Sequence, residues 1–121
     1  SPKETNRRTS AIIIRFRDKW ILPIVNGKFS FATTQCIPGE SYTDAAGRTV
    51  INLTGANEFS LTDVCELNGN DLSIPDTEKG FLFVADIFDN ECSAKQYSLE
   101  EILKSLPDTF RRYFTMAANA T

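Results

Sequence analysis

The feature that most constrains the fold is a short helix with clear ends in the middle of the chain. Ser41 is a good N-cap residue, and Asp44 three positions later gives a near capping box. The apolar residues that follow have helical spacing, and Gly55 is the kind of residue that ends a helix. The sequence therefore predicts a helix over Tyr42–Thr54, which Gly47 weakens by about 1 kcal/mol relative to alanine.

Strand patterns precede this helix. From Thr9 the pattern is strand-like, with one face formed by Ile12, Ile14 and Phe16 and the other by Ile13, Arg15 and Arg17. A second strand over 20–25 contains Pro23, so it is expected at a sheet edge or at a bulge. The Asn26-Gly27 pair is a strong hairpin signal and leads into a third strand over 29–37. The first third of the chain is therefore predicted to be a β-meander.

Further strands and two helices follow the central helix. Strands are predicted over 59–67 and 80–88, a capping box begins a helix at Ser98, and Pro107 separates that helix from the last one. At 121 residues the chain has the size of one domain. The predicted fold class is α+β, with a loose polar leader over residues 1–8 and a single domain over 9–118.

Composition removes several kinds of function. The chain contains no histidine, which excludes Ser-His-Asp and Cys-His hydrolysis and most zinc catalysis. Its three cysteines (Cys36, Cys65 and Cys92) form no CxxC pair, so neither a disulfide framework nor a zinc cage is expected. No stretch reads as a membrane span or a signal peptide. The expected location is intracellular and cytoplasmic, with no membrane partner.

Charge is unevenly distributed along the chain. Residues 1–28 contain seven basic and two acidic side chains, whereas residues 58–101 contain eleven acidic and two basic ones. The net charge of −3 argues against a dedicated duplex-DNA binder. Arg15, Arg17 and Lys19 are candidate contacts for a phosphate-bearing ligand. The competing interpretation is that they are solvated residues of a strand edge that oppose self-association.

Three aromatic residues of the first strands, Trp20, Phe29 and Phe31, also have two interpretations. Aromatic faces can stack on any nucleic-acid base. The same residues can fill the hydrophobic core, and the core is the favoured interpretation.

The segment 34–56 contains a spacing known from one enzyme family. Glu40 is followed eight residues later by Arg48, and Gly55 comes seven residues after that, with Val50 at an aliphatic position. This resembles the Nudix hydrolase signature, G-x5-E-x7-R-E-U-x-E-E-x-G-U, where U is a bulky aliphatic residue. The resemblance extends over most of the chain. It implies a Nudix-like α/β/α sandwich with a mixed, curved β-sheet and a loop–helix–loop signature segment.

The residues that carry the chemistry of this family are missing. Its three helix glutamates hold magnesium or manganese, and the metal activates water and neutralises the diphosphate. Thr49, Asn52 and Leu53 stand at those positions here, and Thr34 replaces the first signature glycine. The resemblance therefore implies a degenerate Nudix box with no catalytic residue, no metal and no cofactor. Glu40, Arg48 and Gly55 keep the roles that support the loop–helix–loop.

The expected function is that of a catalytically inactive Nudix-like binding module. The resemblance implies two modes: sensing a nucleotide-type ligand, with Thr34 and Arg48 as further candidate contacts, or holding protein or RNA within a longer chain or complex. A homodimer is left open. The alternative is an active nucleoside-diphosphate-linked pyrophosphohydrolase with a relocated magnesium or manganese site, built from Glu58, Asp63 and Glu66. A third hypothesis is an unrelated α+β interaction module.

Overall fold

The computed structural model describes residues 7–74 and 78–120. In chain order, this part forms β1 (Arg8–Phe16), β2 (Lys19–Ile21), β3 (Ile24–Val25), β4 (Lys28–Phe29), β5 (Ala32–Gln35), α1 (Tyr42–Thr54), β6 (Phe59–Leu67), a 3-10 helix (Asp71–Ser73), β7 (Lys79–Ile87), α2 (Leu99–Ser105) and α3 (Asp108–Asn119). Residues 1–6 of the predicted leader lie outside the described residues. Arg8 already belongs to β1.

One mixed sheet forms the centre of the described chain. Its strand order is β2-β1-β7-β6, and β5 also pairs with β1. The β1–β7 pair is parallel, whereas the pairs of β1 with β2, of β1 with β5 and of β6 with β7 are antiparallel. β3 and β4 form a separate two-stranded hairpin.

The predicted meander is therefore wrong in its connections. The second strand breaks at Pro23, which has no N–H with which to continue a ladder. The carbonyl oxygen of Pro23 instead accepts a hydrogen bond of 2.9 Å from the Ser30 N–H, which closes the β3–β4 hairpin. The chain then returns to the sheet as β5, which pairs with β1 and not with β4.

Helices cover both faces of the sheet. Alternate residues of β1 and β7 point to opposite faces, as the predicted alternation requires. On one face α1 packs against the sheet through Ala46 and Val50. On the other face α2 and α3 pack through Ile102 and Phe114. This arrangement confirms the predicted α+β class and the α/β/α sandwich, and Trp20, Phe29 and Phe31 are all buried in the core of the second face.

The helices begin where their caps predict. The Ser41 hydroxyl accepts a hydrogen bond from the Asp44 N–H at 3.0 Å. Ser98 and Glu101 form a complete capping box at the start of α2, with hydrogen bonds of 2.9 and 3.2 Å.

None of the described helices is long and apolar enough to cross a membrane. The three cysteines are free and half-buried.

Gly80 allows β7 to lie unusually close to its neighbours. A Cβ atom at this position would lie 2.7 Å from the Thr9 carbonyl oxygen of β1 and 2.7 Å from Cδ1 of Ile74. Because one of these atoms belongs to the backbone of the paired strand, it cannot move aside easily. The close contact between β1 and β7 thus depends on a glycine here.

Candidate functional site

Arg48 and Glu40 connect α1 to the loop that precedes it. Arg48 Nη2 donates to Glu40 Oε1 at 2.9 Å, and Nε donates to Oε2 at 3.2 Å, so the pair is bidentate. Glu40 Oε1 also accepts from the Ile37 N–H at 2.9 Å. The hydrogen bond from Arg48, and then the one from Ile37, lower the pKa of the Glu40 carboxyl, and the bond to Glu40 raises the pKa of Arg48.

The same guanidinium reaches β5. Nη2 of Arg48 donates to the Gln35 carbonyl oxygen at 3.2 Å, and Nη1 contacts the Thr34 hydroxyl at 3.5 Å. Arg8 in β1 donates to the Glu40 carbonyl oxygen from the other side. Arg48 therefore ties the helix, the loop and the edge of β5 together, and about a third of its side chain stays exposed.

The three degenerate signature positions differ in their environments. Thr49 is buried, and its hydroxyl donates to the Ala45 carbonyl oxygen at 3.0 Å within the helix. Asn52 and Leu53 are exposed to solvent. Among them these residues provide one hydroxyl, already engaged with the helix backbone, and one amide.

Two residues outside these positions fix the end of α1. Gly55 adopts φ +70°, a left-handed conformation that favours glycine, and its N–H donates to the Ile51 carbonyl oxygen at 2.8 Å. The Asp89 carboxylate then accepts from the N–H groups of Asn57 and Glu58 at 2.8 to 3.2 Å, which lowers the pKa of Asp89. No local sequence signal marks Asp89, because the N–H groups that it accepts from lie more than 30 residues away.

The three basic residues that were candidate phosphate contacts, Arg15, Arg17 and Lys19, do not lie beside Arg48. Arg15 lies on the face covered by α3, where it binds the Asp86 carboxylate at 2.5 and 3.1 Å and the Ala118 carbonyl oxygen at 3.2 Å. The hydrogen bond to Asp86 raises the pKa of Arg15. Arg17 and Lys19 are exposed in and beside the β1–β2 turn, and Arg17 donates to the Asn90 carbonyl oxygen at 2.9 Å.

The acidic candidates do not form a ligand cluster. Asp63 and Glu66 are exposed on β6, the edge strand of the sheet, and Glu58 precedes it. Within residues 7–74 and 78–120 no group of three or more histidine, cysteine or acidic side chains is arranged to hold a metal ion.

A cavity of about 260 Å³ opens beside β5, and no sequence pattern indicated it. Thr34 and Gln35 lie between this cavity and Arg48. Its remaining lining comes from β1, from β5 and the loop before it, from the 3-10 helix region and from the residue before β7. These residues are Thr9, Ser30, Phe31, Thr33, Leu72, Ile74 and Glu78.

Solved structures share this architecture over nearly the whole chain. A hydrolase of the NUDIX family from Clostridium perfringens superposes with a TM-score of 0.67 at 17% identity, covering 93% of this chain and 94% of that one. A MutT protein from Methanosarcina mazei Go1 gives 0.61 at 20% identity, covering 98% and 96%. The chain has the Nudix fold.

A third structure with this fold, an ADP compounds hydrolase, has a TM-score of 0.60 at 21% identity and covers 93% of this chain and 69% of its own. No protein-family model matches the sequence, and no curated protein sequence is significantly similar to it. The fold is thus established by structural similarity. The sequence identity is too low for the activity of these proteins to be assigned to this chain.

Magnesium or manganese, which the glutamates of the Nudix signature hold, does not fit the side chains that this helix has at those positions. Magnesium takes six oxygen ligands in near-octahedral geometry, and a protein usually anchors it through at least one or two carboxylates. The Leu53 side chain has no oxygen, the Thr49 hydroxyl donates to the backbone of its own helix, and Asn52 adds a single neutral amide. None of these three side chains is a carboxylate.

Proposed function

We propose that this chain is a Nudix-fold binding domain that does not hydrolyse diphosphates and that takes a nucleotide-type ligand in the cytoplasm. The observation that carries the proposal is the state of the three signature positions. Thr49 is buried and bonded to the helix, whereas Asn52 and Leu53 face solvent without a carboxylate. This helix therefore offers no carboxylate to hold the metal ion that would assist the attack of water on a diphosphate.

The proposed ligand class is supported by the site around Arg48. A guanidinium binds phosphate oxygens through directed hydrogen bonds without the help of a metal. About a third of Arg48 is exposed, beside the Thr34 hydroxyl and at the edge of a cavity. One protein of the same fold is named for its action on ADP compounds, which also supports a ligand of this kind.

A second mode, in which the surface holds a protein or RNA within a longer chain or complex, has one observation in its favour. Ile51 and Leu53 expose about half of their side chains on the outer side of α1. Neighbouring apolar groups on a helix surface are a common feature of protein contacts. A homodimer through this surface is one form of the same proposal.

The active-enzyme alternative has the least support. It requires Glu58, Asp63 and Glu66 to converge on a cation, and these residues form no metal-binding group in the described chain. This alternative predicts release of a nucleoside monophosphate, which a binding domain without hydrolase activity does not produce.

Calorimetric titration of ADP-ribose and of GDP-mannose, each with and without magnesium or manganese, tests the proposal. We expect binding heat that does not depend on the metal, and no AMP or GMP in the product analysis. Arg48→Gln should weaken binding, whereas Arg112→Gln, an exposed arginine of α3, is the matched control. Metal-dependent AMP or GMP release would overturn the proposal, and Glu58→Gln, Asp63→Asn and Glu66→Gln would then locate the relocated site.

A further inference from the structure

The cavity beside β5 contains a buried carboxylate. Glu78 exposes only 5% of its surface, and it is the one charged residue that is buried among those the structure describes. Its side chain lines the cavity together with Thr9 and Gln35. A carboxylate in this setting needs a physical explanation, because burying a charge is costly unless hydrogen bonds or an opposite charge compensate for it.

The protein compensates for this charge only in part. The Thr9 hydroxyl donates to Glu78 Oε1 at 2.8 Å, and the Gln35 amide donates to Oε2 at 3.2 Å. Both donors are neutral, and the ion pairs recorded for the described residues do not include Glu78. An ionised carboxylate has about four acceptor positions, and these contacts use two of them. Among the residues that the structure describes, no second donor reaches either oxygen.

The two oxygens of a carboxylate are spaced to accept two parallel N–H bonds from one planar group. Guanine offers such a pair on one edge, from its ring N1–H and its amino group. Adenine offers an amino group next to a ring nitrogen that is itself an acceptor, and this nitrogen would repel the carboxylate. The chemistry of Glu78 therefore discriminates between the two purines.

We propose that Glu78 selects a guanine nucleotide by accepting both N–H donors of the base edge inside this cavity. The inference rests on the proposed function, since it specifies the base of the nucleotide-type ligand. At about 260 Å³ the cavity is smaller than the roughly 300–1,000 Å³ of drug-sized sites, which suits a single base.

The surroundings of the cavity fit a base with phosphates attached. Phe31 forms part of the wall and is held in place by edge-on packing against Phe110, with ring centroids 4.9 Å apart. Thr34 belongs both to the cavity wall and to the contacts of Arg48. A base beside Glu78 can therefore direct its phosphates toward the guanidinium of Arg48. A cationic guanidinium group also has two parallel N–H donors, so free arginine is the competing ligand that the test must separate from a guanine nucleotide.

The test is a calorimetric comparison of GDP, IDP and ADP with the intact chain. IDP differs from GDP only in lacking the amino group of the base, so it removes one of the two proposed hydrogen bonds. We expect GDP to bind at least tenfold more tightly than IDP or ADP. Glu78→Gln replaces one acceptor oxygen by an NH₂ group at nearly constant volume and should abolish the preference. Glu91→Gln, an exposed glutamate away from the cavity, is the control.

The outcomes separate this inference from the function on which it rests. Equal affinity for the three nucleotides overturns the base selection but agrees with the proposed function as a nucleotide-binding domain. If none of the three nucleotides binds, both the base selection and the nucleotide class of the ligand are overturned. Binding of free arginine without binding of GDP has the same consequence. If Glu78→Gln does not fold, as judged by thermal unfolding, the comparison of ligands on the unmodified chain still decides.

Discussion

Arg48 and Glu40 lie eight residues apart and share two hydrogen bonds, of 2.9 and 3.2 Å, across the start of α1. Glu40 also accepts from the Ile37 N–H, which fixes the loop before α1. Arg48 also donates to the Gln35 carbonyl oxygen, which connects the helix to β5. The pair therefore sets the position of the helix relative to the strand.

Acidification should weaken the fold through this pair. The hydrogen bonds from Arg48 and from the Ile37 N–H make the pKa of Glu40 lower in the folded chain than in the unfolded one. Its contribution is therefore complete above the unfolded pKa and is lost as the pH falls through the folded pKa. Urea unfolding at a series of pH values between 7 and 2 measures the effect.

Glu40→Gln should give a lower unfolding midpoint at pH 7 and a smaller loss of stability on acidification. Asn52→Gln, a neutral change at an exposed position of the same helix, is the control and should behave as the unmodified chain. A Glu40→Gln protein with an unchanged pH dependence would show that the ion pair does not stabilise the fold.

Metal affinity should be gained by adding carboxylates to α1. Asn52→Glu combined with Leu53→Glu changes two exposed residues, so the free energy of unfolding should change by no more than about 1 kcal/mol. Since divalent cations require several carboxylate oxygens, manganese should bind weakly to this variant and give no heat with the unmodified chain. Isothermal titration measures both.

The matched control carries Gln at both positions, which keeps side-chain size and removes the charge. Binding of manganese to the unmodified chain would contradict the prediction, as would a double glutamate variant that binds no better than the double glutamine one.

The sequence predicted those features that depend on neighbouring residues. The ends of α1 agree with the structure because Ser41 and Gly55 act within one helical turn. The spacing of Glu40 and Arg48 was also readable, since both belong to one loop–helix segment. The two faces of β1 agree with the structure because successive side chains of a strand point to opposite faces.

Long-range contacts could not be read in this way. Glu78 meets residues 9 and 35, which lie 69 and 43 positions away, so its burial has no local signature. Arg15 looked like a free cation beside other basic residues, yet its partner Asp86 lies on the neighbouring strand β7. The pairing of β5 with β1 likewise depends on the break at Pro23 and on the packing of the whole sheet.

Two glycines of the signature segment should respond to alanine in opposite directions. Gly55 has φ +70°, where a residue with a side chain is strained, so Gly55→Ala should lower the free energy of unfolding by about 1–2 kcal/mol. Gly47 lies inside α1, and a Cβ there would meet only ordinary contacts at 3.9 Å or more. Gly47→Ala should therefore raise stability by up to about 1 kcal/mol. Urea denaturation of both variants measures these changes, and two shifts of the same sign would contradict the reasoning.

Gly80→Ala should damage both stability and the cavity beside β5. The new Cβ would lie 2.7 Å from the Thr9 carbonyl oxygen, so β1 and β7 must separate, at a cost typical of overpacking, about 1–3 kcal/mol. Because the Thr9 hydroxyl also binds Glu78, the displacement should reach the buried carboxylate and weaken GDP binding. Urea unfolding and calorimetry measure the two effects, with Gly47→Ala as the control that leaves binding unchanged. A Gly80→Ala protein with full stability would show that β1 and β7 are not held at this distance.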